Sequence, residues 1–277
     1  MPTPESVLPK PEDNMSYRVM KFGGSSLGAP DRLSQVIELI AEERRQSPVA
    51  VVCSAMGDTT DWLLEAVETA AQGDLDGAEA TVDKIADLAI SNAIAVTKTL
   101  GLDLADLQVT PMVRELLEPL RKLVLGVSLL REKSDQTLDL ILSFGERLSA
   151  TVVSELLRAS GEDAAFVDSR DWTVTDANFG DARVDWPASR EKLQGLREAW
   201  GEAIPVVTGF LGQTPDGRTT TLGRNGSDYT ATLLGRGLNA EEVIISTDVA
   251  GIMTADPFIV EDAYPVASLS YLEALEL

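Results

Sequence analysis

A lysine followed by two glycines and two hydroxyl residues is the first chemically distinctive segment of the chain. Residues 21–26 read Lys-Phe-Gly-Gly-Ser-Ser and follow a short apolar run that begins at Tyr17. Glycines let backbone N–H groups approach an anion, and a following helix, expected to start near Asp31, would favour the same charge. The segment predicts a phosphate site, although a Gly-Gly pair after a strand can also be an ordinary tight turn. It matches neither a Walker A loop nor the Rossmann Gly-x-Gly-x-x-Gly fingerprint.

A second polar cluster occupies residues 223–228, which read Gly-Arg-Asn-Gly-Ser-Asp and immediately precede a segment rich in alanine and leucine. The guanidinium of Arg224 can hold a carboxylate, and the side chain of Asp228 can orient a lysine. Three threonines at 219–221 add hydroxyl donors just upstream. The cluster predicts an anion-binding loop, while the structural alternative is that Ser227 or Asp228 only caps the following helix.

Two further clusters combine polar side chains with glycine. Residues 247–257 read Thr-Asp-Val-Ala-Gly-Ile-Met-Thr-Ala-Asp-Pro after a short apolar run, where Thr and Asp can contact an adenosine or its phosphates. The same residue types are common turn formers, so this pattern is weak by itself. Residues 143–150 read Ser-Phe-Gly-Glu-Arg-Leu-Ser-Ala and place Glu146 beside Arg147 in a region of helical period. That pair belongs either to a site or to a surface ion pair.

The charge balance excludes some partners. Against 23 basic residues the chain has 45 acidic ones, a formal net charge of −22 at pH 7. This charge argues against nucleic acid and anionic membrane surfaces as partners. An anionic substrate must therefore be held by a local group of cations and N–H donors.

Two residue types narrow the chemistry further. The sequence has no histidine, which excludes Ser-His-Asp, Cys-His and histidine-metal sites and leaves Lys, Arg, Asp, Glu, hydroxyls and backbone amides. Its single cysteine, Cys53, follows the apolar run 49–52, so we expect a buried thiol. Disulfide frameworks and cysteine-based zinc sites within this chain are excluded, and a reducing, cytoplasmic compartment is the simplest interpretation.

Short β-branched runs alternate with longer segments of helical period. This alternation predicts an α/β fold with a mainly parallel sheet covered by helices on both faces, in which ligands bind at the carboxyl ends of the strands. The polar clusters follow predicted strand ends. The predicted strands are 17–22, 49–54, 164–168, 204–209 and 242–247, with a hairpin over 210–222. The predicted helices are 31–46, 58–73, 76–100, 111–131, 135–160, 188–201 and 228–238.

The two ends of the chain differ from this pattern. Residues 1–15 are polar and proline-rich, without the apolar stretch of a signal peptide, and are expected to form a flexible tail before one domain over 16–277. No run of 18 apolar residues suggests a membrane span. Residues 268–277 resemble the start of a helix that stops within its amphipathic pattern, so we expect the chain to be a piece of a longer protein.

Taken together, the four clusters resemble the catalytic domain of aspartokinases, within the amino acid kinase family. The resemblance runs from Val19 to Leu277 and implies that family's three-layer α/β/α sandwich. Residues 125–130, Leu-Gly-Val-Ser-Leu-Leu, are more similar to the kinase half of bifunctional aspartokinase–homoserine dehydrogenases. The implied reaction is Mg-ATP-dependent phosphorylation of the L-aspartate β-carboxylate to 4-phospho-L-aspartate, the first step of lysine, threonine and methionine biosynthesis. A homodimer and a regulatory or dehydrogenase region beyond Leu277 are also implied.

The resemblance assigns roles to individual residues. Lys21 would neutralise charge on the transferring phosphoryl group, and Asp228 would orient Lys21. The side chains implied to bind aspartate are Ser54, Thr59, Thr60, Glu146, which would take the α-ammonium, and Arg224, which would hold the α-carboxylate. The residues implied to bind the nucleotide or its phosphates are Gly23, Gly24, Ser25, Gly226, Ser227, Thr247, Asp248, Gly251, Met253 and Asp256. Mg²⁺ would be held by the ATP phosphates, with no protein metal site.

Two positions depart from the family's pattern. Its members usually carry a tyrosine where this chain has Met253, and an arginine where it has Phe258. These departures keep open a catalytically weak nucleotide-binding or assembly module. Another amino-acid kinase of the same fold is a further alternative, although Arg224 with Glu146 favours a free α-amino acid over an N-acylated one.

Overall fold

The computed structural model describes residues 16–247, 251–256 and 259–276. Within them lie seven strands: β1 (Arg18–Phe22), β2 (Val49–Cys53), β3 (Ala164–Val167), β4 (Ile204–Thr208), β5 (Leu211–Gln213), β6 (Thr219–Thr221) and β7 (Glu242–Ser246). The same residues form nine α-helices: α1 (Gly24–Leu27), α2 (Pro30–Arg44), α3 (Thr59–Ala71), α4 (Leu75–Thr99), α5 (Val109–Leu130), α6 (Asp135–Ala159), α7 (Trp186–Trp200), α8 (Gly226–Leu238) and α9 (Tyr271–Glu276).

Five strands form a parallel sheet in the order β3-β4-β2-β1-β7. Strand β1 lies between β2 and β7, with Arg18 opposite both Val49 and Glu242. The inner strand β2 is buried at all of its residues, as its run of Val, Ala and Cys predicts for a parallel strand covered on both faces. The predicted parallel sheet is confirmed.

Helices cover the two faces of this sheet, because alternate strand residues point to opposite sides. Met20 and Phe22 belong to a core formed with helices α2 to α6. Val19 points the other way and packs in a second core with α7, α8 and the fully buried Trp172. The result is the three-layer α/β/α sandwich that the resemblance implies.

The predicted elements agree with the observed ones to within two residues at each end. Strands β5 and β6 form the predicted antiparallel hairpin. The helix expected near Asp31 is confirmed, since α2 starts at Pro30. A separate short helix, α1, begins at Gly24 and was not predicted. In the described part of the chain, no helix is long and apolar enough to cross a membrane.

Candidate active site

A cavity of about 360 Å³ opens at the carboxyl end of β1. The Nζ atom of Lys21 lies 2.7 Å from Oδ1 of Asp228, and the two side chains are 12% and 34% exposed. Glu146 lines the same cavity. The full lining is Lys21, Gly24, Ser54, Ala55, Gly57, Thr60, Glu146, Phe210, Gly223, Asn225, Gly226, Ser227 and Asp228. The fold thus brings together three of the four polar clusters.

The ion pair follows from the strand and helix that carry it. Lys21 alternates with Val19 along β1, so both side chains point to the face covered by α8. Asp228 lies in the first turn of α8, whose N-cap is Asn225 with a left-handed φ of 58°. The alternative that Ser227 or Asp228 serves only as the cap is therefore wrong. Asp228 is a helical residue whose carboxylate reaches the lysine.

The glycine pair permits a close approach between two loops. Gly23 is the N-cap of α1, and a Cβ at that position would lie 3.7 Å from the Lys21 Nζ. A Cβ on Gly24 would lie 2.8 Å from the Ala55 carbonyl oxygen, and one on Gly28 would lie 2.7 Å from the Gly57 Cα. The connection after β1 therefore packs backbone to backbone against the connection after β2, which no larger residue allows.

Glu146 reaches the cavity from α6 and is only 5% exposed. Its Oε1 atom accepts a hydrogen bond from the Ala55 N–H at 3.2 Å. Burial raises the pKa of this carboxyl to about 8, because the charged form is poorly solvated there. A Cβ on Gly145 would lie 2.9 Å from the Ala55 Cβ, so the glycine lets the helix approach this loop.

The alternative of a surface ion pair between Glu146 and Arg147 is wrong. Arg147 instead lies with its Nε 3.6 Å from Oδ2 of Asp168, and its guanidinium stacks over the Phe144 ring. Asp168 also receives two hydrogen bonds from the Arg170 guanidinium, at 2.9 and 2.6 Å. The two neighbours in sequence therefore serve different parts of the structure.

The implied aspartate-binding residues lie in three kinds of place: lining the cavity, buried beside it and exposed at its edge. Ser54, Thr60 and Glu146 line the cavity. Thr59 is fully buried and its hydroxyl donates to the Met56 carbonyl at 2.5 Å. Arg224 is exposed and stands between the lining residues Gly223 and Asn225, so it lies at the cavity's edge.

The implied nucleotide-binding residues are divided between two cavities. Gly24, Gly226 and Ser227 line the one that contains Lys21. Ser25 and Thr247 line a second cavity of about 390 Å³, with Phe22 and Ser246. Because Lys21 and Phe22 are consecutive residues of β1, the two cavities adjoin the same strand end.

Gly23, the N-cap of α1 next to Lys21, lines neither cavity. The other implied nucleotide residues also line neither cavity or lie outside the described chain. Gly251 and Asp256 are exposed, and Met253 pairs with Pro265 in an antiparallel bridge. Asp248 and Phe258 lie outside the described residues, as do the predicted tail 1–15 and Leu277.

Sequence reasoning missed several residues that line the cavity. Phe210 has a left-handed φ of 66°, and its N–H donates to the Thr230 hydroxyl at 3.0 Å; nothing in the sequence signals this. Asn225 could have been found, since an Asn-Gly pair is a strong turn signal that tolerates the left-handed conformation. Ala55 and Gly57 follow β2 without distinctive chemistry.

The three threonines at 219–221 were expected to add donors to the loop, and they do not. The Thr219 hydroxyl is 3.1 Å from the Arg170 guanidinium, and the Thr220 hydroxyl lies 2.6 Å from that of Thr175. The Thr221 hydroxyl donates to Asp139 at 2.8 Å. All three are buried and hold the hairpin against its neighbours.

The cavity combines one cation with two acids. Lys21, held by Asp228, can stabilise negative charge on a phosphate, and it does so where surrounding acids would otherwise repel an anion. Glu146, when ionised, is an acceptor for an ammonium group. The site can therefore hold a phosphoryl group and an amine in one cavity.

The fold and the site indicate the protein family to which the chain belongs. A family model for the amino acid kinase family matches residues 16–277, and the chain belongs to that family. Within it, the chain is 37% identical to aspartokinase 1, chloroplastic, of Arabidopsis thaliana over 268 residues, covering 94% of this chain and 45% of the relative. It is 30% identical to the bifunctional aspartokinase/homoserine dehydrogenase 1 of Zea mays, covering 99% of this chain and 29% of the relative.

A solved structure gives the same result. E. coli aspartokinase III in complex with aspartate and ADP superposes with a TM-score of 0.77 and 31% identity, covering 90% of this chain and 53% of the other. The chain is thus similar to aspartokinases in sequence and in fold. It spans about half the length, or less, of these relatives.

Proposed function

We propose that this chain is the catalytic part of an aspartate kinase, which transfers the ATP γ-phosphoryl group to the β-carboxylate of L-aspartate and yields 4-phospho-L-aspartate and ADP. The observation that carries the proposal is the Lys21–Asp228 pair, at 2.7 Å, in one cavity with the buried Glu146. The similarity to an aspartokinase solved with aspartate and ADP supports the choice of substrates.

The chemistry needs no general base. A carboxylate is already a competent nucleophile at pH 7, so the absence of histidine is no obstacle. The barrier lies in bringing two anions together and in stabilising charge on the phosphoryl oxygens. Lys21 would supply that charge, and Asp228 would hold its ammonium group in place.

Three further contacts would position the substrates. Glu146 would accept the α-ammonium of aspartate, and Arg224, at the cavity's edge, would hold the α-carboxylate. Gly24, Ser227 and the neighbouring backbone would contact phosphate oxygens, since glycine leaves room for close approach. Ser25 and Thr247, in the adjoining cavity, would contact the rest of the nucleotide.

Mg²⁺ fits this site as a companion of the nucleotide. In the described parts of the chain, no group of three His, Cys, Asp or Glu side chains could hold a metal ion. Following the resemblance to aspartokinases, we assign the ion to the ATP phosphates and water. When bound, it neutralises charge on the β- and γ-phosphates.

The setting of the site is part of the same proposal. We infer that residues 16–277 form one catalytic domain preceded by a tail over 1–15, and that the protein acts in the cytoplasm as a homodimer. We also propose that a regulatory or dehydrogenase region follows this domain in the whole protein, which fits the greater length of the bifunctional relative.

Formation of aspartyl hydroxamate from aspartate, ATP, Mg²⁺ and hydroxylamine tests the activity. We expect Lys21→Met to lower kcat by about 100-fold or more, in line with the loss of one preorganised charge contact. Lys122→Met is the matched control, because Lys122 is 73% exposed on α5. Turnover of glutamate or N-acetylglutamate in place of aspartate would contradict the substrate assignment, and full activity of Lys21→Met would contradict the role of the lysine.

A further inference from the structure

Asp139 is a buried carboxylate outside the cavity and is 1% exposed. It lies on α6 and accepts three hydrogen bonds. The Gly180 N–H donates to Oδ2 at 2.9 Å, the Thr221 N–H donates to Oδ2 at 2.9 Å, and the Thr221 hydroxyl donates to Oδ1 at 2.8 Å. One side chain thus joins a helix, a loop and the last residue of β6.

The two segments that Asp139 binds, one at Gly180 and one at Thr221, come together next to the loop 223–225. The Ala182 N–H donates to the Thr221 carbonyl at 2.9 Å, which joins the segments directly. Gly223 has a φ of +72°, and a Cβ there would lie 2.5 Å from Oδ1 of Asp181. Asp139 therefore fixes both the strand that leads into Gly223 and the loop that packs against it.

The same helix carries Glu146. Asp139 and Glu146 are seven residues apart, which is about two turns and roughly 10 Å along one face of an α-helix. One end of this helix face lines the cavity, and the other holds the base of the loop that bears Arg224. The helix is therefore a rigid spacer between the two groups that would hold the amino acid.

We propose that Asp139 is a positioning residue that sets the distance between Glu146 and the loop 223–225, which bears Arg224, and so the fit of the amino-acid substrate. The inference rests on the proposed function for the identity of that substrate. Asp139 would not touch the reacting atoms, because its hydrogen-bond partners among the described residues are Gly180 and Thr221.

A carboxylate suits this position because all of its partners are donors. An ionised Asp only accepts hydrogen bonds, whereas Asn presents one oxygen and one NH₂ group. In Asp139→Asn, the amide oxygen can accept from the two N–H groups and the NH₂ group can donate to the Thr221 hydroxyl, so the contacts lose the negative charge that strengthens them. Thr221→Val keeps the shape and the backbone donor, and removes only the hydroxyl.

The kinetic test compares KM values. Asp139→Asn is expected to raise the KM for aspartate about tenfold, the size expected when charge-assisted hydrogen bonds become neutral ones, while the KM for ATP changes less than about twofold. Thr221→Val is expected to give a smaller rise in the same direction. Asp135→Asn is the matched control and should leave both KM values unchanged, because Asp135 is an exposed acid in the first turn of the same helix.

A general loss of stability gives a different result. It lowers the active fraction, and with it kcat, but leaves both KM values of the folded molecules unchanged. That outcome for Asp139→Asn would overturn the proposal.

Amide hydrogen exchange tests, independently of activity, whether Asp139 holds Gly180, Thr221 and the loop 223–225 in place. In Asp139→Asn, we expect faster exchange at Gly180, at Thr221 and through 223–226, with core amides of β1 and β2 unchanged. If the wild-type chain turns over no aspartate, the proposed function fails. The exchange pattern then tests the positioning role of Asp139 without any activity measurement. Uniform acceleration, no acceleration, or local loosening with an unchanged aspartate KM would each overturn the proposal.

Discussion

Replacing Glu146 by glutamine should stabilise the ligand-free protein, and by an amount that depends on pH. The carboxyl is buried, and its pKa rises from the ordinary 4.5 to about 8. Each pH unit corresponds to about 1.4 kcal/mol, so ionising Glu146 costs the folded state roughly 4 to 5 kcal/mol more than it costs the unfolded chain. Glutamine has a similar shape and carries no charge.

The sign follows from proton binding. Below pH 4.5, Glu146 is protonated in both states, and Glu146→Gln should differ little from the wild type in free energy of unfolding. Between pH 4.5 and about 8, only the unfolded chain releases the proton, so rising pH destabilises the wild-type fold relative to the variant. Above pH 8 the difference should level off at its full size.

Urea unfolding at pH 5, 6.5, 8 and 9 measures this difference. Taking the difference in free energy of unfolding between the wild type and Glu146→Gln at each pH cancels the contribution of the many other acids. Glu115→Gln is the matched control, since Glu115 is exposed on α5 and its replacement should give a difference that does not vary with pH. A Glu146→Gln difference that stays constant from pH 5 to pH 9 would refute the reasoning.

Three other outcomes follow from particular contacts. Gly28→Ala should destabilise the fold by about 1 to 3 kcal/mol through overpacking, because its Cβ would lie 2.7 Å from the Gly57 Cα; urea unfolding measures this. Gly126→Ala should instead stabilise it by about 1 kcal/mol in the same assay, since Gly126 lies within α5 and its Cβ would meet nothing within 4 Å. Cys53 is fully buried, and desolvation and then the nearby Glu146 raise the pKa of its thiol; a chromogenic disulfide should therefore label it only after unfolding, and rapid labelling of the native chain at pH 8 would contradict its burial.

Most of the fold could be predicted from the sequence because its signals are local. A run such as 49–53 is apolar throughout and short, which indicates a buried parallel strand. Long segments of helical period gave α4 and α6 to within two residues. The short helix α1 was missed because its four residues contain a glycine and two serines, which local propensity assigns to a loop.

The site was predictable where residue type carries the chemistry, and less so where packing decides. Lys21 and Asp228 are a charged pair of the kind the clusters suggest. Phe210 enters the cavity wall through a left-handed φ that nothing in its sequence requires. Asp139 looks like any acid on a helix, because its three donors come from segments distant in sequence.

The order of strands has a consequence for how the protein is made. Strand β1 can pair with β2 soon after synthesis begins, but its other edge waits for β7, where Arg18 meets Glu242. At about 5 to 20 residues per second, the growing chain keeps that edge open for roughly ten to forty seconds. The ion pair between Lys21 and Asp228 forms almost as late, because Asp228 must first be synthesised. A ribosome therefore releases most of this protein before its central cation has acquired a partner.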